Sequence, residues 1–118
     1  MTPEEHIDAA LQQLADGRVF PDVAPAGTAT PYITYQVVGG APLNFLSGEQ
    51  PDKQPVRMQV NVWAGAGERI EASELGAQVE QAMRAATELQ VEVATGRVAT
   101  SDETTNYRGT MQDFTLFC

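Results

Sequence analysis

The chain has 118 residues, 42% hydrophobic and 19% charged, with a formal net charge of −9. That length suits a single domain, residues 1–118, which hides about 65% of its extended surface and needs no metal or disulfide. The composition excludes a disordered chain and a coiled coil, and no apolar run approaches the ~18 residues of a transmembrane helix. The opening MTPEEHIDAA carries acids where a signal peptide carries positive charge, so secretion by that route is not expected. Sixteen acids against seven bases repel phosphate backbones and anionic lipid. Neither nucleic acid, sequence-specific or otherwise, nor a membrane is therefore an expected partner. Lys53 is the one lysine, and the other bases are arginines. Cys118 is the one cysteine, which rules out an internal disulfide and a cysteine-based metal cluster and fits a reducing compartment.

The first element is a helix over 3–16. Thr2 caps it, Pro3 suits its first position, and Glu5 completes a capping box. Ile7, Ala10, Leu11 and Leu14 form its apolar stripe, and Gly17 ends it. Residues 18–31, with Pro21, Pro25, Gly27 and Pro31, read as an extended loop. Tyr32 to Val38 is a strand rich in aromatic and β-branched residues, stopped by Gly39-Gly40. Segment 40–55 is irregular and reads as a flexible loop. Leu43, Phe45 and Leu46 make an apolar cluster in it, either a flap on the core or a part ordered by a partner.

Residues 56–64 alternate cleanly. Val56, Met58, Val60, Val62 and Ala64 face the core, while Arg57, Gln59, Asn61 and Trp63 lie on the polar face. Trp63 there either covers the strand end or faces a partner. A second helix runs from about 68 to 86, its stripe formed by Leu75, Val79, Ala82, Met83 and Ala86, with Gly76 its weak point. Leu89 to Thr100 reads as one strand kinked at Gly96, and Ser101-Asp102-Glu103 as a polar bend. Tyr107 to Cys118 alternates with neither side purely polar, the mark of a central or doubly covered strand. The fold class is α+β: an antiparallel sheet with both helices packed on one face, in the order α-β-β-α-β-β.

Chemistry is not what the residues advertise. His6 stands alone on the first turn of a helix, which suits a solvated or capping role, and with Cys118 it falls short of a zinc site. Asp102 to Asn106 does not fit a calcium loop. GAGER after a strand lacks the further glycine and lysine of a phosphate loop. Glu68, Glu71, Glu74 and Glu80 read as a solvated helix face. No catalytic residue, metal or cofactor is expected.

Three segments carry a resemblance: PYITYQVVGG at 31–40, RMQVNVWAGAGERIEA at 57–72, and YRGTMQDFTLFC at 107–118. With the opening helix, they resemble the prophage tail-completion family, the small tail terminator or tail-to-head joining proteins of long-tailed phages. The resemblance implies a structural role without catalysis. Such a protein forms a ring of its own copies, usually a hexamer, which caps the finished tail tube and joins it to the head. Its partners are then itself, the tail tube protein and the head–tail connector proteins. Its place is the head-proximal end of the virion's tail, after assembly in the host cytoplasm.

Copies of so acidic a chain repel one another, so a ring needs local pairs. Arg57 and Arg108 stand on strands that the resemblance marks, and Asp102, Glu103 and Asp113 offer them partners. The alternative is that both arginines pair within their own sheet. Leu43, Phe45, Leu46 and Trp63 complete the expected contact set. A small non-catalytic adaptor domain with a protein partner is the rival reading, and a small carboxylate enzyme the third.

Overall fold

In a computed structural model, residues 2–40 and 53–118 are described. Leu43, Phe45 and Leu46 lie outside the described residues. The elements run α1 (Pro3–Leu11), β1 (Val19–Pro21), β2 (Tyr32–Val37), β3 (Pro55–Ala66), α2 (Arg69–Ala85), β4 (Glu92–Val93), β5 (Val98–Ser101) and β6 (Tyr107–Phe117). The class is α+β, as the pattern predicts.

Local chemistry sets both helices. The Thr2 hydroxyl accepts from the Glu5 N–H at 3.2 Å, while the Thr2 N–H donates to Glu5 Oε1 at 3.2 Å, closing the capping box. Contrary to expectation, α1 ends at Leu11 and not at 16. Ala15, Asp16 and Gly17 all take positive φ and form a short turn that redirects the chain. Leu14 still packs on the core from outside the helix. In α2 the buried residues are Ala72, Leu75, Gly76, Val79 and Met83, a stripe at helical spacing.

The sheet runs β1-β2-β3-β6-β4, and β5 pairs with β6 beyond the end of β4. It is mixed, which corrects the antiparallel expectation. β1 pairs with β2 in parallel, Val19 opposite Ile33 and Pro21 opposite Tyr35. In sequence this three-residue edge strand reads as loop because it ends in proline, which an edge position tolerates. The order α-β-β-α-β-β is corrected with it, to α-β-β-β-α-β-β-β. The strand expected over 89–100 is also broken. Leu89 sits buried in a 3₁₀ turn, and the Ala94 and Thr95 N–H groups both donate to the Asp113 carbonyl, at 2.9 and 3.3 Å. That irregularity separates β4 from β5.

β3 and β6 form the long central ladder, from Pro55 opposite Phe117 to Ala66 opposite Tyr107, with a register shift between Ala64 and Ala66. Period-2 alternation sends Met58, Val60 and Val62 of β3, and Phe114 and Leu116 of β6, into one core. Ile7 and Leu11 of α1 and Leu75, Val79 and Met83 of α2 close that core, so both helices cover one face.

Glycine decides two approaches. A Cβ at Gly76 would stand 2.7 Å from Thr110 Oγ1 and 3.1 Å from Arg97 Cδ, so this helical glycine lets α2 lie close on β6. A Cβ at Gly109 would meet the Val62 carbonyl and lie 2.9 Å from Trp63 Cε3. Gly109 is therefore the bare spot over which the indole edge lies.

Two substitutions test this packing by thermal melting. Val60, 2% exposed, becomes an unpaired buried charge in Val60→Asp, with a loss of several kcal/mol that leaves the chain largely unfolded. Gly76→Ala gains about 1 kcal/mol of helix propensity. Overpacking against Thr110 costs about 1–3 kcal/mol, so the net effect is a lower melting temperature, whereas Gly96→Ala, whose Cβ meets nothing within 4 Å, leaves it near wild type.

Candidate functional site

The face of the sheet away from α1 and α2 carries Tyr32, Thr34 and Gln36 of β2, Arg57, Gln59, Asn61 and Trp63 of β3, and Tyr107, Met111, Asp113 and Thr115 of β6. At one end, register places Tyr32 opposite Trp63, and Trp63 opposite Gly109. The loop after β1 and the β5–β6 turn rise beside them. Between these elements lies an open cleft of about 260 Å³, lined by Asp22, Tyr32, Trp63, Asp102 and Tyr107 among others. A second hollow of about 260 Å³ adjoins it, sharing Tyr32 and Tyr107.

The turn fixes Asp102 at the rim. Its Oδ1 accepts the Thr104 N–H at 2.8 Å, and its backbone N–H donates to the Tyr107 carbonyl at 3.0 Å. Asp22 is held by its N–H to the Tyr35 carbonyl at 2.8 Å. Both acids are exposed. Burial, then the neighbouring Tyr107 phenol and Asp102 carboxylate, push the Tyr32 hydroxyl above the ordinary tyrosine value. The cleft thus combines aromatic faces with negative potential.

The arginines sort cleanly. Arg57 donates from Nε to Asp113 Oδ2 at 2.8 Å, a pair within its own sheet. Arg69 donates to the Gly109 and Thr100 carbonyls at 2.7 and 2.6 Å, pinning the start of α2 to β5 and β6. Arg18 donates to the Pro31 carbonyl at 2.9 Å, and Arg84 and Arg97 both pair with Glu80. Arg108 alone among the arginines has a side chain that makes no hydrogen bond or ion pair with the described residues. Alternation puts it with Thr110 and Gln112 on the helix-bearing face, opposite the cleft.

Of the expected contact residues, the structure brings Trp63 and Asp102 together in the cleft and joins Arg57 to Asp113 away from it. Arg108 stands at the same end of the sheet but on its other side. Sequence reasoning missed Asp22, Tyr32 and Tyr107. The alternation of β2 puts Tyr32 and Gln36 on one face, but only the register with β3 reveals that Tyr32 meets Trp63.

His6 is half-buried on α1, and Cys118 packs against the core. Burial, then the Glu4 charge, pushes the Cys118 thiol up, away from the thiolate a nucleophile needs. Among the described residues no group of three His, Cys, Asp or Glu side chains could hold a metal, and no helix is long and apolar enough to cross a membrane.

Among the described residues, the face of the sheet away from α1 and α2 thus carries one cleft that is both aromatic and acidic. The family model for Tail completion protein gp17 matches residues 7–115. The chain belongs to that family and is a phage tail structural protein, whose partners are other tail or head proteins. A solved structure 17% identical to it matches 98% of this chain and 96% of its own, with a TM-score of 0.51, which supports the fold alone. No curated protein matches.

One network around the buried Gln112 ties α2 to the sheet. Gln112, 3% exposed, donates to Glu80 Oε1 at 2.9 Å and to the Thr95 carbonyl at 3.1 Å, while its own Oε1 has no partner among the described residues. Glu80 also takes Arg84 at 3.2 Å and Arg97 at 2.9 Å. The Gln112 hydrogen bond, then Arg84, holds the Glu80 carboxyl below its ordinary value. A depressed folded pKa stabilises above the unfolded value, about 4.3, and that contribution disappears as pH falls through the folded value. Glu80→Gln is therefore about 1–2 kcal/mol less stable than wild type at pH 7. In chemical denaturation the gap narrows steadily as the pH is taken below about 4.

Proposed function

We propose that the protein caps the completed tail tube and joins it to the head, acting as a ring of its own copies, six in number, at the head-proximal end of the tail. The match of the family model over residues 7–115 carries this reading. The tail tube protein and the head–tail connector proteins are its neighbours there. Two features of the chain support a ring. Among the described residues, one face of the sheet bears no helix and the scarce arginines are spent inside the subunit, Arg108 excepted. Trp63, Asp102 and Arg108 are the contact residues, with Arg57 and Asp113 as a preformed pair on the open face. A ring assembled this way leaves most of the acids unpaired. Acids lining its lumen would keep DNA from adhering as it passes.

The test is a phage lacking this gene. Electron microscopy of its lysate should show filled heads and tails lying separate, and adding the purified protein should restore joined particles with a ring at the tail end. Joined, infectious particles formed without the protein would overturn the proposal.

A further inference from the structure

Three features of the cleft specify what it binds. Its walls are aromatic: Tyr32, Trp63 and Tyr107. Its rim carries the carboxylates of Asp22 and Asp102, neither in an ion pair among the described residues. Its volume of about 260 Å³ accommodates one planar side chain with its stem. Aromatic faces attract a cation within about 6 Å of the ring, and the guanidinium fork suits a carboxylate better than an ammonium does. The complement is an arginine.

We infer that this cleft is the socket for Arg108 of a second copy of the chain. Every other arginine has a partner in its own subunit, and Arg57 in particular is committed to Asp113. Arg108 cannot serve its own cleft. It sits on the helix-bearing side of β6, with Ala64 and Ser101 flanking it in the sheet, while the cleft opens on the opposite side. A donor on one face and a socket on the other make a head-to-tail contact, not a two-fold one. Repeated with a closing rotation, such contacts give a ring. The inference rests on the ring reading above and names its junction.

The experiment complements a phage lacking the gene with two variants, Arg108→Asp and Asp102→Arg. Each alone should lower infectious particles by at least about 100-fold, because like charges then meet at every junction. Expressed together in equal amounts, they should recover most of that loss. In an alternating ring half the junctions are wild type at both positions. The rest pair the arginine introduced in one variant with the aspartate introduced in the other, so opposite charges meet there too. A pair within one subunit would gain nothing from mixing.

Melting curves and images of the tail ends accompany the counts. Should Asp102→Arg fail to fold, Arg108→Cys and Asp22→Cys in a Cys118→Ser background replace it. A short thiol cross-linker should then join the two variants only to each other, on assembled tails. Full complementation by either charge reversal, with rings present, overturns the socket and leaves the ring standing. Absence of any ring on wild-type tails overturns the ring reading itself. Loss with both single variants and no recovery on mixing overturns the second-copy pairing, since Arg108 and the cleft then act through separate partners.

Discussion

Eleven paired positions bind β3 to β6, and their partners lie between about a third and a half of the chain apart in sequence. Closing so long a loop costs entropy before any contact repays it, so this ladder forms as a unit with the core or not at all. Much else is seated on it. α2 packs on its inner face, β4 and β5 add to the free edge of β6, and Arg57 reaches Asp113 across it. A slip of one residue would send Phe114 and Leu116 to solvent and bring Asp113 into the core. Gly109 fixes the register from the other side, since a side chain there would strike the Val62 carbonyl and the Trp63 ring.

The elements that announce themselves in sequence are those whose pattern is local. Val60 and Val62 alternate with Asn61 and Trp63, and burial follows that alternation. Thr2 and Glu5 close a capping box whose whole geometry spans four residues. What escapes is decided elsewhere in the chain. Val19–Pro21 becomes a strand only because Ile33 lies beside it, and nothing in three residues ending with proline foretells a parallel partner. The break between β4 and β5 follows from two N–H groups sharing the Asp113 carbonyl, an arrangement set by β6. Gly76 reads as a weak point in a helix, yet it is the place where the helix meets Thr110 and Arg97.

The expected contact residues divide along the same line. Trp63 is legible as an aromatic on a polar face, and Asp102 as an acid in a bend. That they share one cleft with Tyr32 and Tyr107 depends on the register of three strands, and so is not legible. For Arg57 the sequence leaves two outcomes open, a partner in the next subunit or one in its own sheet. The diagonal from Arg57 to Asp113 gives it the second, at 2.8 Å.

Charge then limits how such subunits can meet. A net −9 on each copy acts at long range, but screening confines it to about 8 Å at physiological ionic strength. Inside that distance the outcome belongs to individual groups. In the socket proposed above, an arginine among Tyr32, Trp63 and Tyr107 would be less exposed to salt than the acids around it. Added salt would then weaken the repulsion more than the attachment, and a few well-placed cations would suffice to join copies that carry an excess of acid. Excess acid is not wasted in that arrangement. Under the ring proposed above, it would keep free subunits apart until a tail end brings them within reach of one another.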